Sequence, residues 1–442
     1  MVLVIVLLLA VPAGLIVALR PGRLWPLITS AAVLGSGVMI SGYALFDEVL
    51  AAAIVAGGLL PIAVRRIRPR NGPLVDPAYT VFLLLLAYMA WEGLRSPLLP
   101  EDWRMSRWVV YYLIIAGIAW LNTRWRLAPD GQRTAEIIAV IGVAYLIVYV
   151  AIGAAAERIY HIPRWALQGT SWAGSAYALF PLALIVPAAL IVIASRRGLM
   201  RWIAFASILM AMVAAIYYDS RIAWLVIIAF LILSPTILGL RRQVLVTAVA
   251  LVVLGLLLSQ YYKVDLRAHV QSLWESAQAI YAPRSSDLDR SLHLTAAVQA
   301  AEGDVGLLIV GGGTYAHRDV LAPYLRNLYA EFLPGVAVPD AVRTTGFSGL
   351  LVDTGVIGVL LSVAVAAFAG REILLRSRRS PGRRPVLLMS VPLLLLWMMV
   401  SDIRDNLLFY LAVMPSGLLA EMSEPGLEPS QAGPRMGRKH VA

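Results

Sequence analysis

Residues 175–218 read SAYALFPLALIVPAALIVIASRRGLMRWIAFASILMAMVAAIYY, two long apolar runs separated by a short turn that carries Arg196, Arg197 and Arg201. A helix needs about 20 predominantly apolar residues to cross the hydrocarbon core of a bilayer, and each run approaches that length. Backbone groups inside a bilayer have no water to bond, so such runs cross it as helices. The stretch predicts a membrane-embedded helical hairpin closed by an arginine-rich turn.

The same pattern recurs along the 442-residue chain, in which 60% of the residues are hydrophobic and 14% are charged. Soluble domains carry about 25% charged residues, so the composition excludes an ordinary soluble protein. We predict an all-α polytopic membrane protein with about 12–14 transmembrane helices and one large extracytoplasmic loop that contains short helices. The predicted spans are 2–19, 24–46, 49–64, 79–94, 108–121, 135–153, 175–194, 201–218, 222–238, 243–260, 346–370, 385–400 and 406–420.

The net charge of +11 comes almost entirely from arginine, because only Lys263 and Lys439 among the 37 basic residues are lysine. The arginines cluster in short turns between spans, and short basic turns mark the cytoplasmic side of a membrane protein. This placement disfavours a nucleic-acid partner and puts every alternate connection on the outer side. The clusters are Arg20/Arg23, Arg65–Arg70, Arg124–Arg133, Arg196–Arg201, Arg241/Arg242 and Arg371–Arg384.

The predicted topology divides the chain into four parts. An N-terminal transmembrane bundle covers residues 1–260, and a large periplasmic loop with amphipathic helices covers 261–345. C-terminal transmembrane helices occupy 346–420, and the tail 421–442, rich in Pro, Gly, Glu and Arg, is predicted to be disordered and cytoplasmic. The loop is the one long excursion from the bilayer, so we expect the specific chemistry of the protein in or beside it.

The loop is predicted to contain an amphipathic helix near 266–281, where apolar residues recur at helical spacing. A second helix is predicted at 290–302, a glycine turn at 311–313, and a third helix at 318–333. Three of the five histidines of the chain lie in this loop, among them His317.

Two further polar positions lie at predicted outer ends of spans. Arg221, between two uncharged spans, is costly to keep there and is functional by default. The alternative is an arginine that reaches to the interface or pairs with Asp219. Glu92, at the outer end of another span, is predicted to pair with Arg95.

Four segments of this sequence resemble the O-antigen polymerase and ligase superfamily. Gly169–Leu182 is similar to the glycine–threonine loop of that family, and Ser220–Leu225 is similar to its S-R-x-A-W-L motif. The stretch from Arg290 to Tyr315 resembles its R…A…G-x-G-x-F pattern, and Phe347–Leu361 resembles its E-T-G-L-L-G-L entry to a span.

The resemblance implies a metal-independent, GT-C-like membrane glycosyltransferase of the bacterial inner membrane whose active site faces the periplasm. A polymerase would transfer oligosaccharide repeat units from undecaprenyl pyrophosphate onto a growing glycan acceptor, and a flippase and a chain-length regulator would be its further partners. The sister ligase would instead move a finished glycan to lipid A-core or another acceptor. A secondary transporter or flippase is the third alternative, disfavoured because transporters tend to have ionisable residues at mid-span.

The resemblance also assigns roles to individual residues. Ligases of the family have a histidine eleven residues before the glycine that matches Gly355, and that position is Thr344 here, which favours a polymerase. We expect His317 or Asp353 to supply the base instead, and no cofactor or metal, because metal-ligand spacing is absent. Arginines present a planar fork to phosphate oxygens, so Arg221 and Arg290 are expected to bind the pyrophosphate. The expected substrate-binding residues are Gly312, Gly313, Tyr315, Arg318, Arg343 and Thr344.

Overall fold

The computed structural model describes residues 29–30, 33–34, 77–97, 107–125, 131–159, 179–218, 220–239, 241, 247, 285–332, 346–400, 407–414 and 417–424. These residues are predominantly helical and include no strand, which confirms the all-α class. In chain order the helices are α1 Pro77–Leu94, α2 Arg107–Trp125, α3 Gly131–Ile159, α4 Leu182–Ser195, α5 Leu199–Tyr217, α6 Arg221–Leu233, α7 Pro235–Leu238, α8 Ser285–Gly303, α9 Val305–Ile309, α10 His317–Phe332, α11 Gly346–Arg376, α12 Arg384–Val400, α13 Leu407–Val413 and α14 Leu418–Met422.

Helices α1, α3, α5 and α11 are long and apolar enough to cross a membrane. Four predicted elements lie outside the described residues, with the exception of residue 247. They are the spans 2–19, 49–64 and 243–260 and the amphipathic helix near 266–281. The total of about 12–14 spans therefore stays a prediction. At the other end of the chain, α14 continues to Met422, so ordered structure passes the predicted start of the tail at 421.

Helix α4 is the centre of the bundle. All of its residues from Leu182 to Ile193 are buried, and a helix that is apolar on every side is stable only inside a large core or a membrane. Helices α3, α5, α6 and α12 surround it. Gly142 allows α3 to lie close against α4, because a Cβ atom there would lie 2.8 Å from the side chain of Ile185. The core of the protein therefore consists of α4 and the apolar helices that pack around it.

Several arginine-bearing turns lie together at one end of this bundle, which we call the arginine end. Arg196, after α4, pairs with Glu136 of α3. Arg383, before α12, donates a hydrogen bond of 3.1 Å to the side-chain oxygen of Gln132. The start of α3 and the ends of α4 and α11 thus share one end of the molecule.

Helices α8, α9 and α10 form a small second layer on the N-terminal part of α11. Their bounds follow the two helices predicted at 290–302 and 318–333, with the short helix α9 added between them. The interface is an apolar cluster separate from the bundle core. Its buried members are Leu292, Ala296, Ala297, Ala300, Leu321, Leu325, Leu328, Tyr329, Leu351 and Val352.

Helix α11 is broken near its beginning. Gly355 has φ 62° and ψ −171°, a backbone conformation that is essentially restricted to glycine. A Cβ atom at this position would lie 2.3 Å from the carbonyl oxygen of Ile309, so α9 packs directly against the break. The sequence predicts a continuous span at 346–370, whereas the structure separates a largely buried segment, 346–354, from the longer segment that follows it.

Candidate functional site

The break in α11 is filled by a turn of residues 310–316, which we call the glycine turn. Three of its residues have positive φ: Gly311 at 85°, Gly313 at 94° and Tyr315 at 70°. The amides of Gly312 and Gly313 donate hydrogen bonds of 2.9 and 3.0 Å to the carbonyl oxygens of Val352 and Asp353. The predicted turn at 311–313 is therefore present, and the glycines are needed because the two backbones touch.

The carboxylate of Asp353 is the polar centre of this junction. Asp353 is completely buried, and its two oxygens accept hydrogen bonds of 2.9 Å from the backbone amides of Tyr315 and His317. These amides begin helix α10, and a carboxylate at a helix N-terminus is stabilised by the exposed N–H groups and by the helix dipole. Asp353 therefore caps α10 from a different helix.

The imidazole ring of His317 lies against the same carboxylate. Its Nδ1 atom is 3.0 Å from Oδ1 and 2.9 Å from Oδ2 of Asp353. An ionised carboxylate only accepts hydrogen bonds, so the proton of the neutral ring belongs on Nδ1. The His317 side chain is 4% exposed, and its Nε2 atom keeps the lone pair that can accept a proton, as in sites where a carboxylate orients a histidine. His317 and Asp353 form the unit that we call the Asp–His pair.

An arginine lies beside this pair at the protein surface. Arg318 is exposed, and its guanidinium carbon is 4.8 Å from the centre of the Tyr315 ring. The Tyr315 ring is 5.8 Å from the ring of His317, measured between centroids. A cation over an aromatic face contributes about 0.5–1 kcal/mol at an exposed site. Arg318 is thus held near the Asp–His pair with donors available to an anionic ligand.

The end of α1 contacts the other side of the glycine turn. The amide of Thr314 donates to the carbonyl oxygen of Glu92 at 2.9 Å, and the hydroxyl of Ser96 donates to the carbonyl oxygen of Thr314 at 2.7 Å. The Tyr88 hydroxyl lies 2.7 Å from the carbonyl oxygen of Val310. The turn is consequently held between α1 and the break in α11.

Glu92 and Arg95 form the ion pair that the sequence predicts. One guanidinium nitrogen of Arg95 lies 2.9 and 3.1 Å from the two carboxylate oxygens of Glu92, which is completely buried. The other terminal nitrogen donates a 2.9 Å hydrogen bond to the carbonyl oxygen of Gly311. The pair could be predicted from the sequence because its two ionisable residues lie at the end of an apolar span. The contact with the turn, which is 216 positions away, was not predicted.

The structure brings six of the ten predicted site residues into this junction. They are Gly312, Gly313, Tyr315, His317, Arg318 and Asp353. Arg343 and Thr344 lie outside the described residues. Arg221 begins α6 and Arg290 lies in α8. At these two positions the structure describes the backbone only. Their approach to the Asp–His pair stays a prediction.

No family model matches this chain, and no curated protein matches it. The features of the structure itself define its class. It is an all-α protein with helices that could span a membrane, in which a broken helix, a glycine turn and α1 meet around a buried Asp–His pair. Among the described residues, no group of three or more His, Cys, Asp or Glu side chains is arranged to hold a metal ion.

Proposed function

We propose that this protein is a polysaccharide polymerase of the bacterial inner membrane. It joins oligosaccharide repeat units carried on undecaprenyl pyrophosphate, at the periplasmic face. The observation that carries the proposal is the Asp–His pair at the start of a broken, apolar helix, with the exposed guanidinium of Arg318 beside it. This combination offers a base for a hydroxyl group and a cation for a phosphate at a bilayer surface.

In the proposed reaction, Nε2 of His317 accepts the proton of an acceptor sugar hydroxyl. The hydroxyl oxygen attacks the anomeric carbon of the donor, and the bond between that carbon and the pyrophosphate oxygen breaks. Undecaprenyl pyrophosphate leaves with the bonding electrons, and Asp353 stabilises the imidazolium that has formed. A positioned general base contributes about 10²–10⁴-fold in rate.

The leaving group sets the second requirement, because the departing pyrophosphate gains negative charge. Guanidinium groups bind phosphate oxygens through two parallel hydrogen bonds and stay protonated. Each donor directed at developing charge contributes about 10²–10³-fold. We assign this role to Arg221 and Arg290, with Arg318 at the protein surface beside the Asp–His pair. Arg221→Lys keeps the charge and loses the fork, so it should strongly impair polymer formation, and normal polymer from both Arg221→Ala and Arg290→Ala would refute the assignment.

One observation favours a second candidate, a secondary transporter or flippase. Transporters often bind their substrates and coupling ions at discontinuous helices, and α11 is discontinuous at Gly355, two residues after the buried Asp353. The polymerase is preferred because the amides that contact Asp353 already complete a helix cap, and because Arg318 adds a surface cation.

Deleting the gene and extracting the lipid-linked glycans separates the candidates. Loss of a polymerase should leave single repeat units on undecaprenyl pyrophosphate at the outer face and abolish the long glycan. Full-length glycan that accumulates on undecaprenyl pyrophosphate would instead indicate a ligase. Repeat units trapped at the inner face would indicate a flippase. Complementation with His317→Gln, at wild-type protein levels, should fail to restore the polymer.

A further inference from the structure

The glycine turn is held closely from two sides. On the side of α11, a Cβ atom on Gly311 would lie 2.4 Å from the carbonyl oxygen of Asp353. On the side of α1, a Cβ atom on Gly313 would lie 2.5 Å from the carbonyl oxygen of Arg95, so the backbones touch here too. The guanidinium of Arg95 adds a side-chain hydrogen bond to the turn, and this contact can be removed by substitution without changing the residues of the Asp–His pair.

The Glu92–Arg95 pair is poorly explained by stability alone. Glu92 is 0% exposed, whereas the Arg95 side chain is 32% exposed. Removing a carboxylate from water is costly, and an ion pair that compensates this cost is often no more stable than apolar residues of the same size. Such pairs are best attested where they fix the relative position of two elements. Here the pair fixes the direction of the Arg95 guanidinium, and the guanidinium binds the turn.

The path from Arg95 to the base is short. Arg95 binds the carbonyl oxygen of Gly311 within the glycine turn, and the turn is followed directly by His317, the first residue of α10. Between them, the backbone amide of Thr314 donates to the carbonyl oxygen of Glu92, and that of Tyr315 donates to the carboxylate of Asp353. A displacement of the turn would therefore move the ring of His317 relative to Asp353.

We propose that Glu92 and Arg95 are positioning residues that hold the glycine turn so that His317 is set for proton transfer. The catalytic part of this inference rests on the proposed function, because it takes His317 as the base. The structural part, that Arg95 holds the turn closed, does not.

Arg95→Lys tests the catalytic part. Lysine keeps the charge next to Glu92 but has its donors on a single nitrogen, so it cannot reproduce the two separate positions from which the guanidinium binds Glu92 and Gly311. A misplacement of about 1 Å costs on the order of 10²-fold in rate, so kcat should fall by about that factor with little change in the donor KM. In the His317→Gln background, the same substitution should have no further effect, because the group that it positions is gone. Additive losses, or a raised donor KM, would overturn the inference.

Single-cysteine labelling tests the structural part without any activity. The chain contains no cysteine, and Thr314 is 2% exposed, so Thr314→Cys places a buried, nearly isosteric thiol inside the turn. The thiol should react slowly with maleimide in the Thr314→Cys protein and at least tenfold faster after Arg95→Lys or Glu92→Gln. Arg326→Lys, at an exposed arginine of α10, is the matched control and should leave the rate unchanged.

The two experiments separate the two proposals. Unchanged protection after Arg95→Lys would overturn the inference whatever reaction the protein catalyses. Faster labelling after Arg95→Lys would support the holding of the turn by Arg95. If the wild-type protein makes no polymer, the proposed polymerase is refuted, and the labelling result still stands.

Discussion

The ring of His317 is bound by Asp353, 36 positions along the chain, through Nδ1 contacts of 3.0 and 2.9 Å to its two carboxylate oxygens. The same oxygens accept the backbone amides of Tyr315 and His317, so one carboxylate both starts α10 and orients the ring. The stability of this helix start and the direction of the ring are therefore coupled. Substitutions that separate the two roles are the most informative.

Asp353→Asn should abolish most of the activity while the protein still folds. Both oxygens of Asp353 accept backbone amides, so the NH₂ group of asparagine meets a donor in either orientation. An unsatisfied buried donor costs about 1–3 kcal/mol. The amide can also donate to Nδ1, which moves the ring proton to Nε2 and removes the base. We expect kcat to fall on the order of 10³–10⁴-fold, measured on lipid-linked repeat units.

The control for this substitution is Asp319→Asn, in the exposed first turn of α10, which should retain the wild-type rate. A folded Asp353→Asn protein with wild-type kcat would show that the pair is a helix cap and nothing more.

The helices of the bundle could be predicted because the lengths of the apolar runs and the positions of the arginine-rich turns indicate the same boundaries. The predicted span 201–218 corresponds to α5, Leu199–Tyr217, for this reason. The break in α11 could not be predicted in the same way. Residues 346–370 are predominantly apolar over the length of a span despite Asp353, and hydrophobicity carries no information about the φ angle of Gly355.

Gly355→Ala should destabilise the protein more than the same substitution at Gly239, which has a similar φ angle but no close neighbour. A non-glycine residue in this backbone conformation costs about 1–3 kcal/mol, and the new Cβ atom would also lie 2.3 Å from the carbonyl oxygen of Ile309. Gly239→Ala has a comparable positive φ of 74° with no atom within 4 Å, so it should show the backbone strain alone. Thermal unfolding in detergent measures the difference.

A second control is Gly370→Ala, within α11, where the nearest atom to the new Cβ is 3.8 Å away. Alanine is favoured over glycine in a helix by about 1 kcal/mol, so this variant should be neutral or more stable. If Gly355→Ala and Gly239→Ala lose the same stability, α9 is not packed rigidly against the break.

The candidate site was only partly accessible from sequence. The sequence indicates His317 and Asp353 as alternative bases and does not predict their contact, because this contact depends on how the glycine turn folds back on α11. Tyr88 and Ser96 carried no signal at all, since a hydroxyl near the end of an apolar span is unremarkable in composition. Their role follows from hydrogen bonds to the turn more than 200 positions away, at 2.7 Å in both cases.

The two ends of the bundle should label from opposite sides of the membrane. Asp319, next to the Asp–His pair, and Arg379, at the arginine end, are both exposed in this cysteine-free chain. Basic turns are retained in the cytoplasm, so Asp319→Cys should react with an impermeant maleimide in intact cells. Arg379→Cys should react only after the cells are permeabilised. The reverse pattern would place the Asp–His pair in the cytoplasm and rule out a periplasmic transferase.

Glu421 should make the folded protein less stable as the pH rises. It lies in α14, beyond the predicted span 406–420, and its carboxylate accepts a 3.3 Å hydrogen bond from the hydroxyl of Thr134. Burial raises the pKa of Glu421 from 4.5 to about 8, against the opposing effects of Thr134 and Arg376. The folded protein therefore keeps a proton that the unfolded chain has already lost.

The sign follows from this difference in bound protons. The stabilisation is complete below the unfolded pKa of 4.5 and is lost as the pH rises towards the folded value of about 8. The slope for one group approaches about 1.4 kcal/mol per pH unit. Glu421→Gln mimics the protonated carboxyl, so its unfolding temperature should match the wild type near pH 5 and exceed it at pH 8. Glu331→Gln, at an exposed residue of α10, should change neither value. Parallel pH profiles for the wild type and Glu421→Gln would show that Glu421 is ionised in the folded protein.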